Sequence, residues 1–162
     1  MRIISGKYRQ KKIKYINSLI TRPLRDIVRE NIFNLLTHGK KINVNVEKSN
    51  VLDLYAGVGS FGIECLSRNA KKVVFVERNQ IAFSILKENI ASLKIKENFS
   101  SIHSDIKFFL KKNNHHLKFD IIFFDPPYQD EEFINYIKTL KCMDILNKKH
   151  LIIIHREKSA KD

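Results

Sequence analysis

The chain has 162 residues, a length that suits one domain with a real core. It has no apolar run long enough to cross a membrane, and its first residues turn basic too soon for a signal peptide, so a cytoplasmic protein is expected. Thirty basic against 17 acidic residues give a net charge of +13, which favours a polyanionic partner.

The charge is uneven along the chain. Five of the eight arginines (Arg2, Arg9, Arg22, Arg25, Arg29) fall in the first 29 residues, beside a single acid, Asp26. Codon usage alone can enrich a chain in Lys, Ile and Asn together, but it does not gather arginine, the better bidentate ligand for phosphate, at one end. Contact with nucleic acid is therefore expected from this segment. Residues 2–15 alternate weakly around Gly6 and predict a small basic hairpin. From about Asp26, Ile27, Val28, Ile32, Leu35 and Leu36 fall at helical spacing, with Gly39 as the stop and Arg25 and Arg29 on one face. Residues 40–50 read as a polar linker.

Beyond the linker, strand and helix patterns alternate. Strands are predicted at 51–54, 73–76, 99–103, 120–124 and 151–154, with helices ending near Ser67 and spanning about 79–93, 107–112 and 131–140. Such alternation implies right-handed crossovers: an α/β, Rossmann-like, mainly parallel sheet with helices on both faces. Cys65 and Cys142 match no metal or redox spacing; no metal is expected, and both read as small buried residues. His115 and His116 read as solvated loop residues, and Asp130-Glu131-Glu132 as a helix N-terminus. His155, after the fifth strand, is not counted in the site, although a place along the cleft is open to it.

The first strand runs into Asp53-Leu54-Tyr55-Ala56-Gly57-Val58-Gly59-Ser60-Phe61-Gly62. Gly57, Gly59 and Gly62 satisfy G-x-G-x-x-G, so a dinucleotide is a rival ligand. The surrounding acids separate the cases. Glu77, ending the second strand, can bind a ribose diol, and Asp105, in Ser104-Asp105-Ile106, can accept from an adenine amine or cap a helix. Asp53 suits an ammonium group and would repel a pyrophosphate, and no basic residue lies within 55–62. This set favours S-adenosylmethionine (AdoMet) over NAD. The expected cofactor residues are Asp53, Tyr55, Ala56, Gly57, Gly59, Glu77, Arg78, Ser104, Asp105 and Ile106.

The fourth strand ends on Asp125-Pro126-Pro127-Tyr128. Two prolines cannot continue a ladder, so the strand stops in a stiff turn that presents a carboxylate, a carbonyl and an aromatic ring. Paired acceptors beside a stacking ring suit a planar base carrying an exocyclic NH2. Asp125, Pro126, Pro127 and Tyr128 are the expected catalytic residues. The same four residues suit guanine, adenine or cytosine amines.

These features resemble the class I AdoMet-dependent amino-methyltransferases. The N-terminal run Arg2-Ile3-Ile4-Ser5-Gly6-Lys7-Tyr8-Arg9, then Thr21-Arg22-Pro23 and Asp26-x-Val28-Arg29-Glu30-x-x-Phe33-Asn34, is similar to the RsmD family. The resemblance covers residues 2 to about 157. It implies methylation of N2 of a guanine in bacterial 16S rRNA, on the 30S subunit or an assembly intermediate, by a monomer. It also implies RNA contacts from Arg9, Lys11, Arg22, Arg25 and Arg29. Residues 1–40 would form a basic extension that contacts RNA and covers the active site, and 50–162 the AdoMet-binding catalytic domain. Leu24 and Arg25 stand where the family commonly has small hydroxyl residues, and a terminal β-hairpin seen in the family is expected to be missing. The rival readings are an adenine-N6 methyltransferase, an NAD-dependent oxidoreductase and a catalytically idle RNA-binding module.

Overall fold

The apolar runs become strands because both of their faces are covered. In the computed structural model, which describes residues 1–16, 24–112, 117–127 and 130–156, the strands are β1 (Asn50–Leu54), β2 (Lys72–Glu77), β3 (Phe99–His103), β4 (Phe119–Phe124) and β5 (Leu146–Ile154). Among the described residues they form one sheet in the order β3-β2-β1-β4-β5, with every pairing parallel. The helices are α1 (Asp26–His38), α2 (Ser60–Ser67), α3 (Gln80–Ser92), α4 (Ile106–Lys111) and α5 (Glu132–Cys142). This is the α/β, Rossmann-like architecture that the alternation predicts.

Side chains leave a strand on alternate faces, and the two cores follow that period. Val51, Val73, Phe75, Ile121 and Phe123 pack with Phe61 and Leu86 on one side. Leu52, Leu54, Val74, Val76, Ile122 and Phe124 pack with Phe109 and Tyr136 on the other. On the first face, Phe61 stacks on Phe123 at 4.0 Å and on Phe33 of α1 at 5.2 Å, so α1 is fastened through α2 to the sheet. The fifth strand begins earlier than its apolar run. Leu146 already pairs with Phe119, and an irregularity lets the exposed Lys148-Lys149-His150 stretch pass before Leu151 resumes opposite Ile121.

The N-terminal segment forms the expected hairpin, with an antiparallel bridge between Arg2 and Lys12 and a bond from Ile3 N–H to the Lys11 carbonyl of 3.0 Å. It is docked on α2. The fully buried Glu64 carboxylate accepts from Ile4 N–H (2.8 Å), Ser5 N–H (3.0 Å) and Arg68 Nε (2.9 Å). Gly6 sits at φ +83°, and an added Cβ would lie 1.9 Å from the Ser67 carbonyl oxygen, so this approach requires glycine. Asn89 of α3, also buried, accepts from Lys14 N–H at 2.7 Å and donates to the carbonyls of Lys14 and Val58, both at 3.0 Å.

Two expectations are corrected here. Arg29 does not share an exposed face with Arg25 and is not available to RNA: it is 0% exposed. Its Nη2 donates to the Arg2 carbonyl and to Asp26 Oδ1 (2.9 Å), so it ties α1 to the hairpin. Burial lowers its pKa, opposed by the charges of Glu64 and Asp26. The second correction concerns the cysteines: Cys65 is buried but Cys142, ending α5, is exposed.

Glu64→Ala should destabilise the protein by about 3 kcal/mol in urea unfolding, the scale for removing a buried charged acceptor from several donors. The Ile4 and Ser5 amides should lose hydrogen-exchange protection before β1 does.

Candidate active site

The candidate residues gather beyond the carboxyl ends of the strands, at the point where the strand order reverses. β1 has β2 on one side and β4 on the other, with Leu54 opposite both Val76 and Phe124. The residues that follow, Tyr55 on β1 and Asp125 on β4, therefore leave the sheet next to each other. Glu77, Asp105 and His155 follow or end β2, β3 and β5.

The glycine loop is held by the acids. Asp53 is 1% exposed, and its Oδ2 accepts from Gly62 N–H at 3.0 Å at the start of α2. Gly62 carries no side chain because a Cβ would lie 2.2 Å from the Phe75 ring. Burial pushes the Asp53 pKa well up; the Gly62 N–H opposes this, and the like charges of Asp125 and Glu77 add to it. Glu77 accepts from Gly57 N–H (2.7 Å) through one oxygen and from Asn79 N–H (2.6 Å) through the other. It thus joins the loop after β1 to the start of α3, whose N-cap is Asn79. Gly57 has φ +56°, and a Cβ there would find nothing nearer than the Tyr55 carbonyl at 4.0 Å. The loop therefore has an open, side-chain-free surface at that point.

Tyr55 also takes a left-handed φ of 59°. Its hydroxyl donates to Asp130 Oδ2 at 2.8 Å, and burial followed by that bond raises its pKa. Asp130 in turn accepts from Glu132 N–H at 2.8 Å and donates its own N–H to the Pro127 carbonyl at 2.8 Å. The turn after β4 is thereby tied to the loop after β1. As expected, the Asp130 region completes the start of α5.

Asp105 caps α4: Oδ1 accepts from Lys107 N–H (2.8 Å), while Oδ2 lies 3.6 Å from Arg78. Ser104 is bonded through its hydroxyl to the Asp105 carbonyl, Ala56 N–H reaches the Val76 carbonyl, and Ile106 is buried in the α4 core.

Asp125 has a partner that sequence reasoning left out. His155 Nδ1 stands 2.7 Å from Asp125 Oδ1, and His155 N–H donates to the Phe124 carbonyl at 2.9 Å. The hydrogen bond to Asp125 raises the imidazole pKa from its ordinary 6.5, against the opposing effect of burial. The available signal was a polar residue directly after an apolar edge run, but it carries weight only once β5 is known to neighbour β4. Pro126 is buried and Pro127 exposed; Tyr128, Arg22, His115 and His116 lie outside the described residues. Arg9, Lys11 and Arg25 are exposed. An open basic depression of about 490 Å³, lined by Lys7, Lys48, Asn69, Ala70, Lys71 and Asn98, lies at the opposite ends of the strands, away from this site. Among the described residues there is no metal-binding cluster and no helix long and apolar enough to cross a membrane.

A parallel sheet in this order, with a glycine loop after β1 and acids at the ends of β1, β2 and β4, defines a class I methyltransferase fold. A family model described as "Conserved hypothetical protein 95" matches residues 1–162. The chain is 36% identical over 159 residues to "Ribosomal RNA small subunit methyltransferase D" of Haemophilus influenzae, covering 98% of this chain and 79% of that protein. It is 34% identical over 157 residues to the protein of the same name from Buchnera aphidicola subsp. Baizongia pistaciae, covering 97% and 76%. A solved structure, "Putative methyltransferase yhhF from Escherichia coli", superposes with a TM-score of 0.84 at 30% identity, covering 100% of this chain and 83% of that one. The chain belongs to the RsmD family.

In an NMR titration the His155 ring should change charge at a pH above 6.5, and Asp125→Asn should bring the midpoint down. Because the folded pKa is raised, the stability this pair contributes is fully present at low pH and disappears as pH rises through the raised midpoint.

Proposed function

We propose that the protein is an AdoMet-dependent methyltransferase acting on the exocyclic N2 amine of a guanine in 16S rRNA, within the 30S subunit or an assembly intermediate. The observation that carries this reading is the placement of Asp125 and Pro126 at the switch point, beside an acid-held glycine loop. Guanine comes from the family resemblance alone, and small-subunit ribosomal RNA from the names of the relatives as well.

The residues fit AdoMet by their chemistry. Asp53 is a buried carboxylate surrounded by like charge, an environment that a substrate ammonium relieves and a pyrophosphate aggravates. Glu77 uses its two oxygens on Gly57 and Asn79 but keeps further acceptor positions for a diol. Gly57 leaves space above the loop. Asp105, with Arg78 at its side, would hold the adenine end. AdoMet, when bound, supplies an electrophilic methyl group on a sulfonium.

The guanine amine is a poor nucleophile because its lone pair is delocalised into the ring. Asp125 and the Pro126 carbonyl would accept its two hydrogens, favouring a pyramidal nitrogen with its lone pair directed at the methyl. Catalysis then rests on alignment and preorganised charge. The surplus proton on N2 would become acidic only after the new N–C bond has formed and the methyl–sulfur bond has broken, its electron pair staying on sulfur, and it would leave to solvent. Tyr128 would stack on the base, which must leave the RNA stack to enter. Residues 1–40 would act as the RNA-contacting extension, through the exposed Arg9, Lys11 and Arg25 together with Arg22, and 50–162 as the catalytic unit, in a cytoplasmic monomer.

Transfer of tritiated methyl from AdoMet to 30S subunits lacking the modification, with mapping of the labelled nucleotide, tests this reading; label in adenine, DNA or protein would refute guanine N2. Asp125→Ala should lower kcat by about 10²–10³, the scale of one preorganised contact. Asp53→Asn should weaken AdoMet in calorimetry more than about tenfold. It should also flatten the fall in stability as pH rises, since a raised carboxylate pKa makes the folded state less stable once the unfolded group ionises.

A further inference from the structure

We propose that His155 is a positioning residue for methyl transfer. It holds one oxygen of Asp125 so that the other faces the substrate amine, and its protonation state sets how strongly that oxygen attracts the amine. This rests on the reading of Asp125 as the amine acceptor.

The geometry is specific. Nδ1 lies 2.7 Å from Asp125 Oδ1, while among the described residues Oδ2 has no hydrogen-bond partner. Both side chains are about one quarter exposed, His155 at 26% and Asp125 at 24%, so the pair lies at the lip of the cleft rather than in the core. His155 follows Ile154, the last residue of an edge strand to pair with β4, and its N–H bond to the Phe124 carbonyl fixes the ring beside the catalytic turn. The packing of β5 involves Leu151, Ile152 and Ile153, not this imidazole.

Among the described residues, four ionisable groups on the surrounding elements have partners of their own. On the turn after β4, Asp130 holds the Tyr55 hydroxyl; on α5, Glu132 holds the Tyr136 hydroxyl. Asp53 on β1 binds Gly62 N–H, and Arg156, next on the chain, lies over the Phe133 ring at 4.7 Å. Asp125 is thus the group to which His155 answers. With Asp125 as acceptor, Nδ1 carries a hydrogen in both charge states, and titration occurs at Nε2. The neutral ring orients Asp125 and leaves its full negative charge to attract the amine hydrogens. The imidazolium keeps the same orientation but offsets that charge. Methyl transfer should therefore slow as pH falls through the His155 titration, with no change in which atoms react.

The test is single-turnover methyl transfer by the full chain on unmodified 30S subunits between pH 6 and 8.5, for wild type, His155→Asn and His155→Ala. The asparagine amide can place a donor near Nδ1 without titrating. The wild-type rate should fall about tenfold toward pH 6, on the scale of a charge-assisted hydrogen bond. His155→Asn should stay within about threefold of the wild-type rate at pH 8.5 and lose the pH dependence, while His155→Ala loses about tenfold in single-turnover rate at pH 8.5 with the thermal midpoint at that pH unchanged. Variants that keep the wild-type pH profile overturn the proposal, as does a rate loss that follows the thermal midpoint. The position of the label reports separately on the substrate: label in adenine or protein refutes the guanine reading, while the variant-to-wild-type ratio on that substrate still decides the part played by His155.

Discussion

The parallel pairing of β1 with β4 is the constraint on which the site depends. The two strands are about seventy positions apart in sequence, yet Asp53 lies opposite Phe123 and Leu54 opposite Phe124. β1 sends its crossover through α2 to β2 on one side, while β4 joins on the other. The connections therefore diverge, and a crevice opens above the β1–β4 seam. The glycine loop and the Asp125-Pro126 turn face each other across it, and the Tyr55–Asp130 bond joins their flanks. A sheet built in another strand order would carry the same motifs on separated edges.

The acids of the site are structural members before any ligand arrives. Asp53 holds the start of α2, Glu77 holds Gly57 and the entry to α3, and Asp105 holds the entry to α4. Each carboxylate is oriented by backbone N–H groups, whose positions follow from secondary structure and not from mobile side chains. This is a preorganised arrangement, and it concentrates negative charge where burial makes it costly. The basic N-terminal hairpin adjoins the same construction. Glu64 and Ser67 of α2 bind its backbone, and Asn89 links Lys14 to Val58 in the glycine loop. The segment richest in arginine is thus in direct hydrogen-bonded contact with the framework of the proposed cofactor site.

Much of the fold was legible in the chain, because strand and helix periods are local properties. The third strand, residues 99–103, has the bounds its pattern predicts, and the helix beginning after Asn79 starts at its cap. What failed was assignment by composition. Arg29 looked like its neighbours Arg22 and Arg25, yet it is buried because α1 packs against the hairpin there and the backbone carbonyl of Arg2 needs a donor. Cys142 looked like Cys65, but it ends a helix on the solvent side. Neither outcome is encoded in residue type; each depends on which face of a helix meets another element.

By itself the sequence determined the alternation of strands and helices, the glycine loop that needs positive φ, the proline-stiffened turn after the fourth strand and the charge asymmetry. These arise from steric and electrostatic properties of residues close together in the chain. Only the tertiary structure decided that Asp125 is paired with His155, that Tyr55 is braced by Asp130, and that Glu64 carries the N-terminal hairpin. Such contacts join residues 30, 75 and 60 positions apart. They exist because strand order and helix packing bring those residues within hydrogen-bond distance, and no local pattern specifies that order.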